Sequence, residues 1–143
     1  MVVVDASLVL KLVLAEEDSE EAANLWRRWA EEGEVVAAPP LFSAETSSVL
    51  RRRVYQGKLD PAQGDAAFAV LRGLVVDILE PVDLYPRAWD LAKELNQPTT
   101  YDCCYLALAE LLVCELWTAD ERLHRAAEGR FPWLRPLNAY RPE

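Results

Sequence analysis

The sequence predicts a three-layer α/β/α sandwich around a central parallel sheet of four to five strands. Three observations lead there. Short β-branched runs, Val2-Val3-Val4 first among them, alternate along the chain with stretches of ten or more residues that read as helices, and parallel strands need crossover connections of that length. Val2 to Val4 is followed at once by an acid, as a buried parallel strand ends at its carboxyl edge. Finally, 143 residues with 52% hydrophobic content suit one compact domain with a filled core.

Taken in order, Met1 to Asp5 is the first strand, with Asp5 at its end. Residues 7–14 read as a short helix. Asp18 and Glu21 have the spacing of a capping box, with Asp in the cap position, before a helix to about Glu32 on which Ala22, Leu25, Trp26 and Trp29 share a face. Residues 34–39 form the second strand; Pro39 and Pro40 end it and start a helix that carries Glu45, Val49 and the run Arg51-Arg52-Arg53. Asp60-Pro61 places a cap before a proline at the first helical position, so residues 61–73 are helical. A strand from Leu74 to Leu79 follows, then a helix opened by Asp83 and running to about Leu95. Asn96-Gln-Pro98 breaks the chain before a helix from Tyr101 to Val113. Residues 114–118 are a fourth strand, Asp120 begins a short helix over 121–127, and residues 133–137 are a fifth strand whose flanking prolines suit a sheet edge. No linker, internal repeat or low-complexity tract divides residues 1–143, which are read as one domain.

Composition excludes several classes. The first acid arrives at position 5, too early for the apolar core of a secretory signal, and no apolar run approaches the ~20 residues of a membrane span, so a soluble cytoplasmic protein with no membrane partner is expected. Cys103, Cys104 and Cys114 are an odd number in an apolar setting and read as reduced core residues. With His124 the only histidine, thiolate or imidazole zinc sites are disfavoured. The net charge of −9 opposes long-range attraction to phosphate, although Arg51 to Arg53 and the stretches holding Lys58, Arg122, Arg125 and Arg130 concentrate the positive charge.

Four acids lie in apolar surroundings where a lone charge is costly to desolvate: Asp5 after three valines, Glu45 in Leu41-Phe-Ser-Ala-Glu45, Asp102 before Cys103-Cys-Tyr-Leu-Ala-Leu-Ala109, and Asp120 after Leu116-Trp-Thr-Ala119. Singly, each has a structural reading. Asp5 and Asp120 suit helix caps, and Asp102 suits a helix N-terminus. Glu45 does not, because a mid-helix glutamate on an apolar face gains nothing from a cap. A shared divalent metal neutralises all four together, and an all-oxygen donor set favours a hard ion, Mg²⁺ or Mn²⁺. In parallel sheets, ligands gather beyond the carboxyl ends of the strands, where Asp5 and Asp120 fall.

The stretches Val-Val-Asp5-Ala-Ser7, Glu45 with Val49-Leu-Arg-Arg52, Tyr101-Asp102-Cys-Cys-Tyr-Leu-Ala-Leu-Ala109 and Leu116-Trp-Thr-Ala-Asp120-Glu-Arg-Leu123 span nearly the whole chain. In them the sequence resembles the PIN-domain family, and within it the VapC-type ribonuclease toxins of toxin–antitoxin systems. The resemblance implies strand order 3-2-1-4-5, metal-dependent endoribonuclease activity on RNA with one or two Mg²⁺ or Mn²⁺ ions, inhibition by a cognate antitoxin and a tendency to form homodimers. It makes Asp5 and Asp102 the principal metal ligands and Glu45 and Asp120 further acids that bind the metal directly or through water. Ser7 and Thr118 become supporting hydroxyls. Cys103-Cys104 departs from the small residues common in the family, and Thr46-Ser47 stands where an asparagine is often nearby; neither removes an acid. Lys11, Arg51 and Arg52 are candidates for gripping the RNA backbone, and Trp26 and Trp29 for an antitoxin interface, since large aromatics are enriched at interfaces as well as in cores.

Competing classes fare less well. An aspartyl-nucleophile phosphohydrolase needs a second acid two residues after the first, where this chain has Ser7, and a receiver-type domain needs adjacent acids after its first strand. A non-catalytic PIN-like binding module, or a housekeeping PIN nuclease without an antitoxin, remains as the alternative reading; the presence of all four acids argues against the first.

Overall fold

The structure, a computed structural model, describes residues 1–127 and 129–142. It is a three-layer α/β/α sandwich. The elements follow in the order β1 (Val2–Val4), α1 (Ala6–Val13), α2 (Ser19–Glu32), β2 (Val36–Ala38), α3 (Leu41–Tyr55), α4 (Pro61–Gly73), β3 (Asp77–Ile78), α5 (Leu84–Glu94), α6 (Tyr101–Leu112), β4 (Glu115–Thr118), α7 (Glu121–Ala126) and β5 (Leu134–Pro136). A single 3₁₀ turn at Leu137–Ala139 follows the last strand. The five strands are ordered 3-2-1-4-5 and every neighbouring pair is parallel, as the sequence reading expected.

Register explains where the site forms. Val3 stands opposite Ala37 on one side and Leu116 on the other, and Val4 stands opposite Trp117. The chain therefore leaves β1 at Asp5 and β4 at Ala119 side by side, at the carboxyl edge. Strand order reverses between these two strands, since β2 lies to one side of β1 and β4 to the other, and that is where a parallel sheet opens a crevice.

The residues that hold this edge are almost wholly apolar. Val3, Val4, Leu8 and Val9 are fully buried, and on α6 every residue from Cys103 to Ala109 is buried. A helix buried all round cannot tilt freely, so Asp102 at its first turn is placed by the packing of the following residues against β1, β4 and α5. All three cysteines are free thiols, Cys103 and Cys104 within the core.

The expected caps are formed in part. Asp60 and Gln63 make a reciprocal capping box at the start of α4, with Pro61 at the first helical position. Asp18 makes no side-chain cap bond and lies in the left-handed region. Ser19 closes that turn instead: its hydroxyl donates to the Leu14 carbonyl and accepts from the Glu16 amide. Asp83 precedes α5 without capping it through its side chain. The third strand is shorter than expected. Only Asp77 and Ile78 pair with β2, at the edge of the sheet, and Val75 before them is left in solvent.

Candidate active site

At the carboxyl edge, Asp5 is bonded on both oxygens. It is only 5% exposed and caps α1, its Oδ1 accepting from the Leu8 amide at 3.1 Å and from the Ser7 hydroxyl at 2.6 Å. Its Oδ2 accepts from the Thr118 hydroxyl. Each hydroxyl is in turn held by the exit of β4: the Ala119 amide donates to Ser7 Oγ at 3.0 Å and the Asp120 amide to Thr118 Oγ1 at 2.9 Å. Two hydroxyls that accept from one strand exit and donate to the acid of the other fasten β1 to β4 beyond the last ladder bond. Burial pushes the Asp5 carboxyl up to about 6, against the pull of the Ser7 and Thr118 hydroxyls, with Asp120 adding repulsion.

Glu45, Asp102 and Asp120 line one open cavity of about 630 Å³, together with Ser7, Leu10, Tyr101 and Arg52. Asp5 lies behind Ser7 rather than in the lining. Glu45 reaches the cavity from the second turn of α3, and its Oε1 accepts from the Tyr105 hydroxyl at 3.1 Å. Its carboxyl is raised above the usual range by burial, with Asp102 adding repulsion and Tyr105 opposing both. Asp102 is likewise raised by burial first and by Asp120 second, while Arg122 lowers it. Asp120 caps α7, its Oδ1 accepting from the Arg122 and Leu123 amides at 2.9 and 3.2 Å. The capping reading of Asp5 and Asp120 and their place at the site are thus both true: the cap uses Oδ1 in each, and Oδ2 is turned to other partners.

The four acids of the sequence reading are therefore at one edge, three in one cavity and the fourth linked to it through Ser7. As the side chains lie, no three His, Cys, Asp or Glu groups among the described residues stand together closely enough to hold one ion. The donor chemistry still fits a hard divalent cation. The acceptor groups that line the cavity are carboxylate and hydroxyl oxygens, with no thiol or imidazole among them, two of the carboxyls are raised by burial and by a neighbouring acid, and Mg²⁺ keeps much of its water and takes one or two carboxylates directly.

The basic and aromatic candidates divide. Arg52 lines the acid cavity, whereas Arg51 lines a neighbouring groove between α3 and α4, and Lys11 is paired with Glu16 at 3.4 Å. Trp29 is a core residue, packed edge-on against Trp117 at 6.1 Å, and Trp26 is half-buried against it at 5.9 Å. Burial removes Trp29 from any surface, so the pair does not form an exposed aromatic face. Two residues that sequence reasoning did not single out for the site stand in it. Tyr105 holds Glu45, and its spacing of three from Asp102 on the same helix was the available signal. Arg122 stands with Nη2 3.4 Å from Asp102 Oδ2 and 3.6 Å from Asp120 Oδ2.

Known proteins resemble this chain in sequence and in fold. The family model for the PIN domain matches residues 2–129. Ribonuclease VapC9 of Mycobacterium tuberculosis is 33% identical over 132 residues, covering 92% of this chain and 95% of its own. Among solved structures, M. tuberculosis VapC20, described as a Sarcin-Ricin loop cleaving toxin, superposes with a TM-score of 0.64 at 21% identity, covering 88% of this chain and 95% of that one. A toxin-antitoxin complex from Klebsiella pneumoniae superposes with a TM-score of 0.65 at 17% identity, covering 94% and 95%. At these structural identities the shared feature is the fold.

Proposed function

This chain belongs to the PIN-domain family, among its VapC-type ribonucleases, and from that premise we propose that it is a metal-dependent endoribonuclease, the toxin of a type II toxin–antitoxin pair. The observation that carries the reading is the convergence of Glu45, Asp102 and Asp120 on one cavity, with Asp5 tied to its edge through Ser7. The free thiols suit the reducing cytoplasm. An antitoxin partner is supported by relatives of this fold that are described with one.

These acids would hold a Mg²⁺ or Mn²⁺ ion, which would supply charge for the non-bridging oxygens of a phosphodiester and would lower the pKa of a water used in the attack. Among the described residues no backbone donor reaches either oxygen of Asp102 or Oδ2 of Asp120, so these two acids would hold the ion, with Asp5 behind Ser7 adding its charge to the site. Glu45 accepts the proton of the water. Its raised carboxyl is a better base than a solvated one, and the Tyr105 hydroxyl fixes which oxygen faces the water. Attack on phosphorus breaks the bond to the 3′-oxygen, which takes a proton and leaves a 3′-hydroxyl and a 5′-phosphate. Arg52, in the same cavity wall, grips a flanking phosphate. The test is cleavage of a mixed RNA pool with Mg²⁺ or Mn²⁺ by the parent, Asp5→Asn, Asp102→Asn and Glu45→Gln. Losses of roughly 10²-fold or more are expected for each variant; equal cutting by all four proteins defeats the assignment. The partner is tested by co-expressing the protein of any short reading frame beside this gene and asking whether cleavage stops.

A further inference from the structure

Asp102 and Asp120 come from different elements, the first turn of α6 and the cap of α7, and share one cation. Arg122 Nη2 lies 3.4 Å from Asp102 Oδ2 and 3.6 Å from Asp120 Oδ2. These are the oxygens that no backbone amide engages, since Asp120 spends its Oδ1 on the Arg122 and Leu123 amides. Among the described residues no other ion pair reaches either acid; Arg52 lines the cavity without pairing to them. Both contacts are at the long end of an ion pair, single-point rather than bidentate, and the Arg122 side chain is 74% exposed. Such a contact neutralises charge but holds weakly, and its loss costs little because water is at hand.

We propose that Arg122 is a resident placeholder cation: its guanidinium occupies the position between Asp102 and Asp120 in the ion-free protein and is displaced when a divalent ion binds. The inference rests on the proposed function, in that it takes these acids to be the ion's ligands. Arg122 then offsets the repulsion between the two acids in the ion-free site and competes with the ion, lowering its apparent affinity.

The experiment is Mn²⁺ binding to the intact chain without RNA, followed by calorimetry or water-proton relaxation, for the parent, Arg122→Ala and Arg125→Ala. Arg125 is exposed on the same short helix and removes an equal charge without contacting either acid. Tighter binding by Arg122→Ala, about three- to tenfold, with a smaller change for Arg125→Ala, is the expected result. Equal tightening in both variants means general electrostatics and overturns the proposal, as does unchanged or weaker binding in Arg122→Ala; in either case the nuclease reading stands. A parent that binds no Mn²⁺ overturns both.

Discussion

Replacing Asp5 by asparagine should stabilise the protein while abolishing its chemistry, and the size of the gain should depend on pH. The carboxyl is nearly inaccessible and its pKa is raised from 3.8 to about 6, with burial the largest cause. The folded state therefore holds the proton more tightly than the unfolded chain. Stability from protonated Asp5 is fully present below about pH 4 and is lost as pH rises through 6. At about 1.4 kcal/mol per unit, the parent loses about 2–3 kcal/mol between pH 4 and pH 8 that an amide, carrying no charge, does not lose. Geometry permits the swap. The amide oxygen keeps the bonds from Ser7 and the Leu8 amide, and the amide nitrogen meets the Thr118 hydroxyl, which can turn its proton toward Ser7 Oγ at 3.3 Å. The assay is urea or thermal unfolding of both proteins with chelator present, at half-unit steps from pH 4 to pH 8. The melting-temperature advantage of the variant should grow by about 6–10 °C over that range, the other acids cancelling because both proteins share them. An advantage that is flat with pH would refute the claim that ionised Asp5 is a strained charge awaiting a cation. Adding saturating Mg²⁺ at pH 8 should narrow the gap, since the Asp5 charge tightens ion binding and an ion held more tightly by the folded parent than by the variant adds more to the parent's stability.

Gly64 packs α4 against α3 so closely that an added Cβ would lie 2.4 Å from Val54 Cγ2, so Gly64→Ala should destabilise by about 1–3 kcal/mol in equilibrium unfolding despite alanine's helix propensity; a neutral or stabilising result would show that Val54 has room to turn. Val113, 91% exposed, ends α6 at φ 52°, a left-handed conformation that disfavours a β-branched side chain, and Val113→Gly should raise stability by about 1 kcal/mol, read as a higher urea midpoint at unchanged slope. Arg52→Ala should weaken binding of single-stranded RNA to the metal-loaded protein and reduce the slope of log affinity against log salt by about 0.7, one phosphate contact, whereas Lys11→Ala, removing a cation already paired with Glu16, should leave that slope unchanged.

What was legible in the chain follows from how local each signal is. Asp5 and Asp120 could be placed at strand ends because a mostly apolar run precedes each and a helix follows, and the two strands they follow are neighbours in the sheet. Glu45 and Asp102 were legible only as charges in apolar surroundings. Their approach depends on how α3 and α6 pack, which no window of sequence carries, and strand order came from resemblance to a family rather than from periodicity. Leu74 to Leu79 reads as a full strand because it is apolar, but at the edge of the sheet only Asp77 and Ile78 pair with β2. Trp26 and Trp29 share a helical face; which of them is covered depends on Trp117, a strand and nearly ninety residues away. Tyr105 stayed hidden within Cys103-Cys-Tyr-Leu-Ala-Leu-Ala109, where its hydroxyl looks like one more core residue until Glu45 is seen opposite it.

The excess of acids, 24 against 15 lysines and arginines, is less paradoxical for a nucleic-acid enzyme once the charges are located. Much of the basic complement is engaged in pairs: Arg28 with Glu32, Arg53 and Lys11 with Glu16, Arg87 with Glu94 and Glu110. At the cavity the balance is otherwise. Glu45, Asp102 and Asp120 face Arg52 from the lining, and Arg122 spans two of them from its rim. Without an ion, an incoming phosphate meets three carboxylates only partly offset by Arg52 and Arg122, at short range where screening by salt is weakest, and the long-range field offers no attraction to help it. The same acids that repel RNA are those that would recruit the ion, so on the proposed reading productive RNA binding would follow ion binding, and the affinity for nucleic acid would be conditional on the metal rather than on steering.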